Sequence, residues 1–131
     1  MTIPDRIERD NGPDRALDAE IAVALRVPHP LGQWVLNFPD WEVDHTDKGR
    51  VWAVGNINGN GNHRSGSWYS NPYTASIDAA MTLARDENEA SDLLYEALER
   101  LGQTGWPTGK WVQAIPRFIS AAALRGRKDQ P

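Results

Sequence analysis

The stretch QWVLNFPDWEVDHTDKGRVWAVGNINGNGNHRSGSWYSN, residues 33–71, decides how the chain is read, because the helical spacing found on either side of it gives way here to short extended runs. Trp34-Val35-Leu36-Asn37-Phe38 reads as one strand, Arg50 to Ile57 as a second and Ser67-Trp68-Tyr69 as a third. The start of 40–49 can extend the first strand, and Asp47-Lys48-Gly49 reads as a turn. Three such runs in succession predict an antiparallel meander. The run from Asn58 to Gly66 is rich in residues that tolerate positive φ and self-bonding turns, so it is expected as an exposed connection.

Upstream the apolar spacing is helical. Pro13 and Asp14 suit a first turn, and Leu17, Ile21, Ala24 and Leu25 make one stripe; Ile3 and Ile7 suit a short leading turn ended by Asn11-Gly12. Pro28 and Pro30 stop that register. Downstream, Thr74 or Ser76 can cap a helix whose inner side is Ile77, Ala80, Met81 and Ala84. Asp86 and Glu89 are spaced as a capping pair for another, carrying Ala90, Leu93, Leu94, Ala97, Leu98 and Leu101 and ended by Gly102. Lys110-Trp111-Val112-Gln113-Ala114 reads as a fourth strand, and Pro116 as the opening of a last helix with Ile119, Ala122 and Ala123 inward. Together these predict an α+β fold, an α-β-α layered sandwich of three to four helices on a small antiparallel sheet of three to four strands.

The chain has 131 residues, which suits a single domain over 1–131 with a short polar lead (about 1–12) and a basic tail (about 126–131). The absence of cysteine excludes a disulfide framework and Cys-ligated zinc. An apolar share of 40% with 24% charged residues favours neither a membrane protein nor a disordered chain. MTIPDRIERDNGPDR lacks the apolar centre of a secretory signal, and no apolar run approaches a membrane span, so a cytoplasmic location is expected.

The formal charge of −4 is unevenly spread: Arg100, Lys110, Arg117, Arg125, Arg127 and Lys128 lie in a stretch without a single acid. Such a cluster can meet phosphate or an acidic partner, while cations near a helix carboxyl end also complement its dipole. With acids in excess over the whole chain, the second reading is preferred. The candidate ligand or partner surface comprises Asn58, Asn60, Asn62, His63 and Arg64 of the polar run, the adjoining Trp68 and Tyr69, Trp106, and the basic Arg125 and Arg127. Trp52 and one of Trp34 or Trp41 are expected in the core, leaving Trp68, Tyr69 and Trp106 as aromatic anchors beside turns.

No catalytic residue, cofactor or metal ligand is assigned. His29, His45 and His63 lack the close spacing of a helical metal pair, and His45 between Asp44 and Asp47 reads as a solvated turn residue before it reads as a catalytic base. Asn56, Asn58, Asn60 and Gly61 match part of a calcium-loop pattern, but Ser67 stands where its bidentate carboxylate belongs. The nucleophile-elbow, P-loop, zinc-helix and dinucleotide fingerprints are missing, which argues against an enzyme.

Three segments, GPDRALDAEIAVAL at 12–25, YTASIDAAMTL at 73–83 and FISAAALR at 118–125, taken in order resemble the phage ABA-sandwich domain family of small phage and prophage proteins. The resemblance implies the α-β-α layering and a bacterial host's cytoplasm. The expected function is that of a non-catalytic accessory protein acting through a host or phage protein or through self-association. The alternative is nucleotide or nucleic-acid binding through the Asn/Gly run and the basic carboxyl end.

Overall fold

Asp86 turns extended, with φ −156° and ψ 178°, and its carboxylate accepts the Glu89 backbone N–H at 2.8 Å, starting the helix α4 over Glu87–Thr104. Leu93, Ala97 and Leu101, spaced four apart, are its buried side. Gly102 does not end this helix. The chain continues to Gly105, which takes φ +78° and closes it in the left-handed conformation that favours glycine. A side chain at Gly102 would meet nothing within 4 Å. Gly102→Ala should therefore raise stability by about 0.5–1 kcal/mol, the usual helix-interior difference, as read from urea denaturation midpoints.

The computed structural model describes residues 2–25, 27, 41–43, 49–57 and 62–128, of which 41–43, 52–57, 62–68 and 128 are described through their backbone. Before α4 come α1 (Ile3–Glu8), α2 (Arg15–Ala24), β1 (Trp41–Val43), β2 (Arg50–Ile57), β3 (Asn62–Tyr69) and α3 (Ile77–Met81). After it come a 3-10 turn at Thr108–Lys110 and α5 (Trp111–Lys128). Ser76 caps α3 by accepting the Ala79 N–H at 3.2 Å. Among the described residues no helix is long and apolar enough to cross a membrane.

Contacts divide the chain into two compact units, one formed by 1–14 with 72–131 and the other by 15–71. In the first, α1, α3 and α4 all pack against α5. Ala114, Phe118, Ile119, Ala121, Ala122 and Ala123 of α5 are buried with Ile7, Tyr73, Ala80, Leu83 and the inner side of α4. The four alanines of α5 permit close helix approach, and Phe118 and Tyr73 fill the larger spaces. The Ser120 hydroxyl donates between the carbonyls of Pro116 (2.9 Å) and Tyr73 (3.2 Å). Thr74, fully buried, accepts the Asp14 N–H at 2.8 Å, joining the leading residues to the turn before α3.

In the second unit α2 packs on β1 and β2 through a buried side of Leu17, Asp18, Ala19, Ile21 and Ala22, whereas Ala24 is exposed. The strands pair antiparallel in the order β1-β2-β3, with Trp41 opposite Ala53, Arg50 opposite Tyr69 and Ile57 opposite Asn62. Gly49, at φ +79°, precedes β2 where a Cβ would lie 2.8 Å from the Arg15 carbonyl oxygen, so only glycine fits. Arg15 pairs with the buried Asp18 at 2.7 Å and donates to the Ser70 carbonyl at 2.6 Å.

The α-β-α layered sandwich is therefore corrected. Of the residues whose side chains are described, 68% are helical. In the first unit helix packs on helix around α5, and the strand pairing lies in the other unit with α2. The physical reason is the apolar period: Leu93, Ala97 and Leu101 meet the equivalent stripe of α5, a helix-to-helix solution that needs no sheet beneath. The fourth strand at 110–114 does not form. Trp111 opens α5, because Ala114 and Phe118 continue one stripe with Ala121 and Ala122. Pro116 lies inside α5 at its sixth position, removing one backbone hydrogen bond. The connection read from Asn58 to Gly66 is shorter, since β3 begins at Asn62. The strand read at 34–38 lies outside the described residues.

Candidate functional site: the arginine ties and the outer face of α4

Four arginines of the basic carboxyl end, Arg100, Arg117, Arg125 and Arg127, are engaged internally. Arg125 is in contact with Asp5 at 3.1 Å and with Glu8, and Arg100 grips the same Glu8 with Nε at 2.7 Å and Nη2 at 3.0 Å. Glu8 is only 7% exposed. Its burial pushes the carboxyl up, but hydrogen bonds and charge from Arg125 and Arg100 outweigh that and hold it below the ordinary glutamate value. Asp5 is held low by a hydrogen bond with Thr2 and then by Arg125. Arg117, 4% exposed, donates to the Gly12 carbonyl at 2.9 Å and to Ile7 at 3.2 Å, taking up carbonyls at and just beyond the end of α1. Arg127 donates to the Leu83 carbonyl and lies 3.4 Å from Glu89. These four guanidiniums tie α1, α4, α5 and the segment after α3 together.

The other predicted site residues are distributed differently. Asn58 and Asn60 lie outside the described residues, as do His29, His45, Asp44 and Asp47. Asn62, His63, Arg64 and Trp68 belong to β3, opposite Ile57, Asn56, Gly55 and Val51. Tyr69 is 55% exposed at the end of that strand. Arg50 lies with its guanidinium 5.5 Å from the Tyr69 ring centre and donates to the phenol oxygen at 3.3 Å. Trp106 is half-buried after α4, and its carbonyl accepts the Trp111 indole N–H at 2.9 Å. The core assignments for Trp34, Trp41 and Trp52 fall outside the described side chains.

Two features of α4 were not foreseen. One is a groove of about 360 Å³ between its amino-terminal half and α5, lined by Arg85, Asp86, Asn88, Glu89, Asp92, Leu93 and Glu96 opposite Ala122, Ala123 and Gly126. Part of its charge is satisfied internally: Asp86 caps α4, and Glu89 pairs with Arg85 at 2.7 Å. Burial raises the Glu89 carboxyl, and Arg85 with Arg127 more than reverses this, so it too is held low. Among the described residues no three His, Cys, Asp or Glu side chains converge to hold a metal ion.

The other is the outer face of α4, where Leu94, Tyr95 and Leu98 are 36%, 72% and 40% exposed. Leu94 and Leu98 join the sequence stripe at helical spacing, but six apolar positions span an arc wider than one neighbouring helix covers. Leu93, Ala97 and Leu101 fill the α5 side, and the excess turns outward with Tyr95. The width of that arc is the signal that marks the face. Compared with protein-family models, curated proteins and solved structures, the chain matches none.

Proposed function

We propose that the chain is a non-catalytic phage or prophage accessory protein of the host cytoplasm, acting by contact with another protein through the outer face of α4. The observation that carries this is the exposure of Leu94, Tyr95 and Leu98 together on one helix whose adjoining stripe, Leu93, Ala97 and Leu101, is already buried. Apolar side chains grouped on an exposed face, a tyrosine among them, have the chemistry of an interface centre. The internal engagement of Arg125 and Arg127 favours this reading over phosphate binding, since both guanidiniums already hold partners. The accessory role and the setting rest on the three sequence segments at 12–25, 73–83 and 118–125.

The test places a photocrosslinking phenylalanine analogue at position 95 of the full chain, in cells carrying the gene in its native neighbourhood. A discrete adduct that disappears in a Leu98→Glu background, with the circular dichroism of both variants unchanged, supports the reading. No adduct from position 95, or one indifferent to Leu98→Glu, overturns it.

A further inference from the structure

Resting on that reading, we infer that the partner presents a basic amphipathic helix, with an apolar ridge for Leu94, Tyr95 and Leu98 and Lys or Arg along one flank. At about 3.6 residues per turn, Leu94, Leu98 and Tyr95 occupy one sector of α4, and Glu99, Asp92 and Glu96 follow in the next. Asp92 and Glu99 are exposed, and no ion pair engages either among the described residues. The apolar strip thus has a carboxylate border on one side. A partner laid along it desolvates the strip and brings whatever lies on its own flank against those carboxylates. Cations are attracted there and anions repelled, so the border selects the sign of the partner's charge.

The strip also dictates the partner's shape. Its apolar residues are spaced one and three apart along a helix, the pattern into which the i, i+3, i+4, i+7 ridge of a second helix fits. Gly102 falls on the same sector with open space where its side chain would be, allowing a close approach at that end. In a second copy of the chain Arg100, Arg117, Arg125 and Arg127 are not available as that cationic flank, because they face their own α1, α4 and α3–α4 partners. Two α4 helices packed antiparallel would set carboxylate border against carboxylate border.

The experiment titrates the full chain with two synthetic leucine-patterned amphipathic peptides of about 18 residues, long enough for a helix once docked, one with lysine and one with glutamate at the polar positions. Affinity is read by fluorescence anisotropy and location by amide resonance shifts. The lysine peptide should bind at least about tenfold more tightly than the glutamate peptide, shift residues 91–102, and weaken as salt rises from about 50 to about 200 mM. Asp92→Asn with Glu99→Gln should weaken the lysine peptide by about three- to tenfold. Tyr95→Glu with Leu98→Glu separates docking from bulk attraction to an acidic protein, since it adds negative charge while removing the ridge, and it should abolish binding. Equal affinity for the two peptides, with both lost in Tyr95→Glu/Leu98→Glu, overturns the basic partner and leaves the docking face standing. Lysine-peptide binding that survives the double variant, shifts confined to other elements, or no binding at all overturns the inference. Shifts of 91–102 on raising protein concentration without peptide would identify a second copy as the occupant and equally overturn it.

Discussion

Arg117→Met should lower stability by about 3 kcal/mol and the unfolding temperature by about 10 °C, measured by calorimetry or by urea denaturation. Arg117 is 4% exposed, and its guanidinium donates to two main-chain carbonyls, Ile7 at 3.2 Å and Gly12 at 2.9 Å. Ile7 lies in the last turn of α1, where carbonyls lack intrahelical donors and carry the negative end of the helix dipole. Methionine fills similar space but donates nothing, leaving the Ile7 carbonyl in a buried place and the Gly12 carbonyl in a half-buried one without this donor. Hydrogen bonds from a charged donor contribute about 1.5–3 kcal/mol each, and the smaller end of that range is used because the lost arginine also sheds its own desolvation cost. An unfolding temperature unchanged by Arg117→Met would mean that α1 is not held to α5 through this group.

Glu8→Gln should cost about 2 kcal/mol at neutral pH, and the loss should shrink on acidification. The glutamine keeps the shape while taking away the charge that faces Arg100 and Arg125. A full buried-pair penalty does not apply, because the two arginine side chains are 39% and 26% exposed and water reaches them. Glu8 has its folded-state value depressed, so its contribution is complete above the unfolded glutamate value of about 4.3 and is lost as the pH falls through the lower folded value. Urea midpoints of wild type and Glu8→Gln should therefore converge in acid. A constant gap from neutral pH down to acid would show that the carboxylate charge is not what Glu8 contributes.

The parts of the fold that could be read from the chain are those set by neighbours. Ser76 and Asp86 act as caps because a cap is decided within four residues, and the Arg50–Ile57 run is a strand by its own composition. Lys110–Ala114 shows the limit of that approach. Its local composition suits a strand, yet Ala114 belongs to a stripe that includes Phe118, and burial of the whole stripe overrides the preference of five residues. Gly102 similarly reads as a helix end, but Leu101 on one side and the left-handed Gly105 on the other carry the helix past it. The arginines were the least legible feature. Arg100 meets Glu8 across 92 residues and Arg117 meets Ile7 across 110, so the basic carboxyl end looks like a surface patch until the helices are packed. On α4, Leu94 and Leu98 pass for core by spacing, and only the finite width of α5 leaves them outside.

The central claim is that this outer face serves another protein and not the chain's own packing. It is tested most directly by measuring, for wild type and Tyr95→Glu side by side, the unfolding temperature and the affinity for the partner trapped from position 95. Tyr95 is 72% exposed, so the unfolding temperature should stay within about 2 °C of wild type while affinity falls about tenfold or more. Undiminished affinity, or an unfolding temperature lowered by as much as in Arg117→Met, would contradict it.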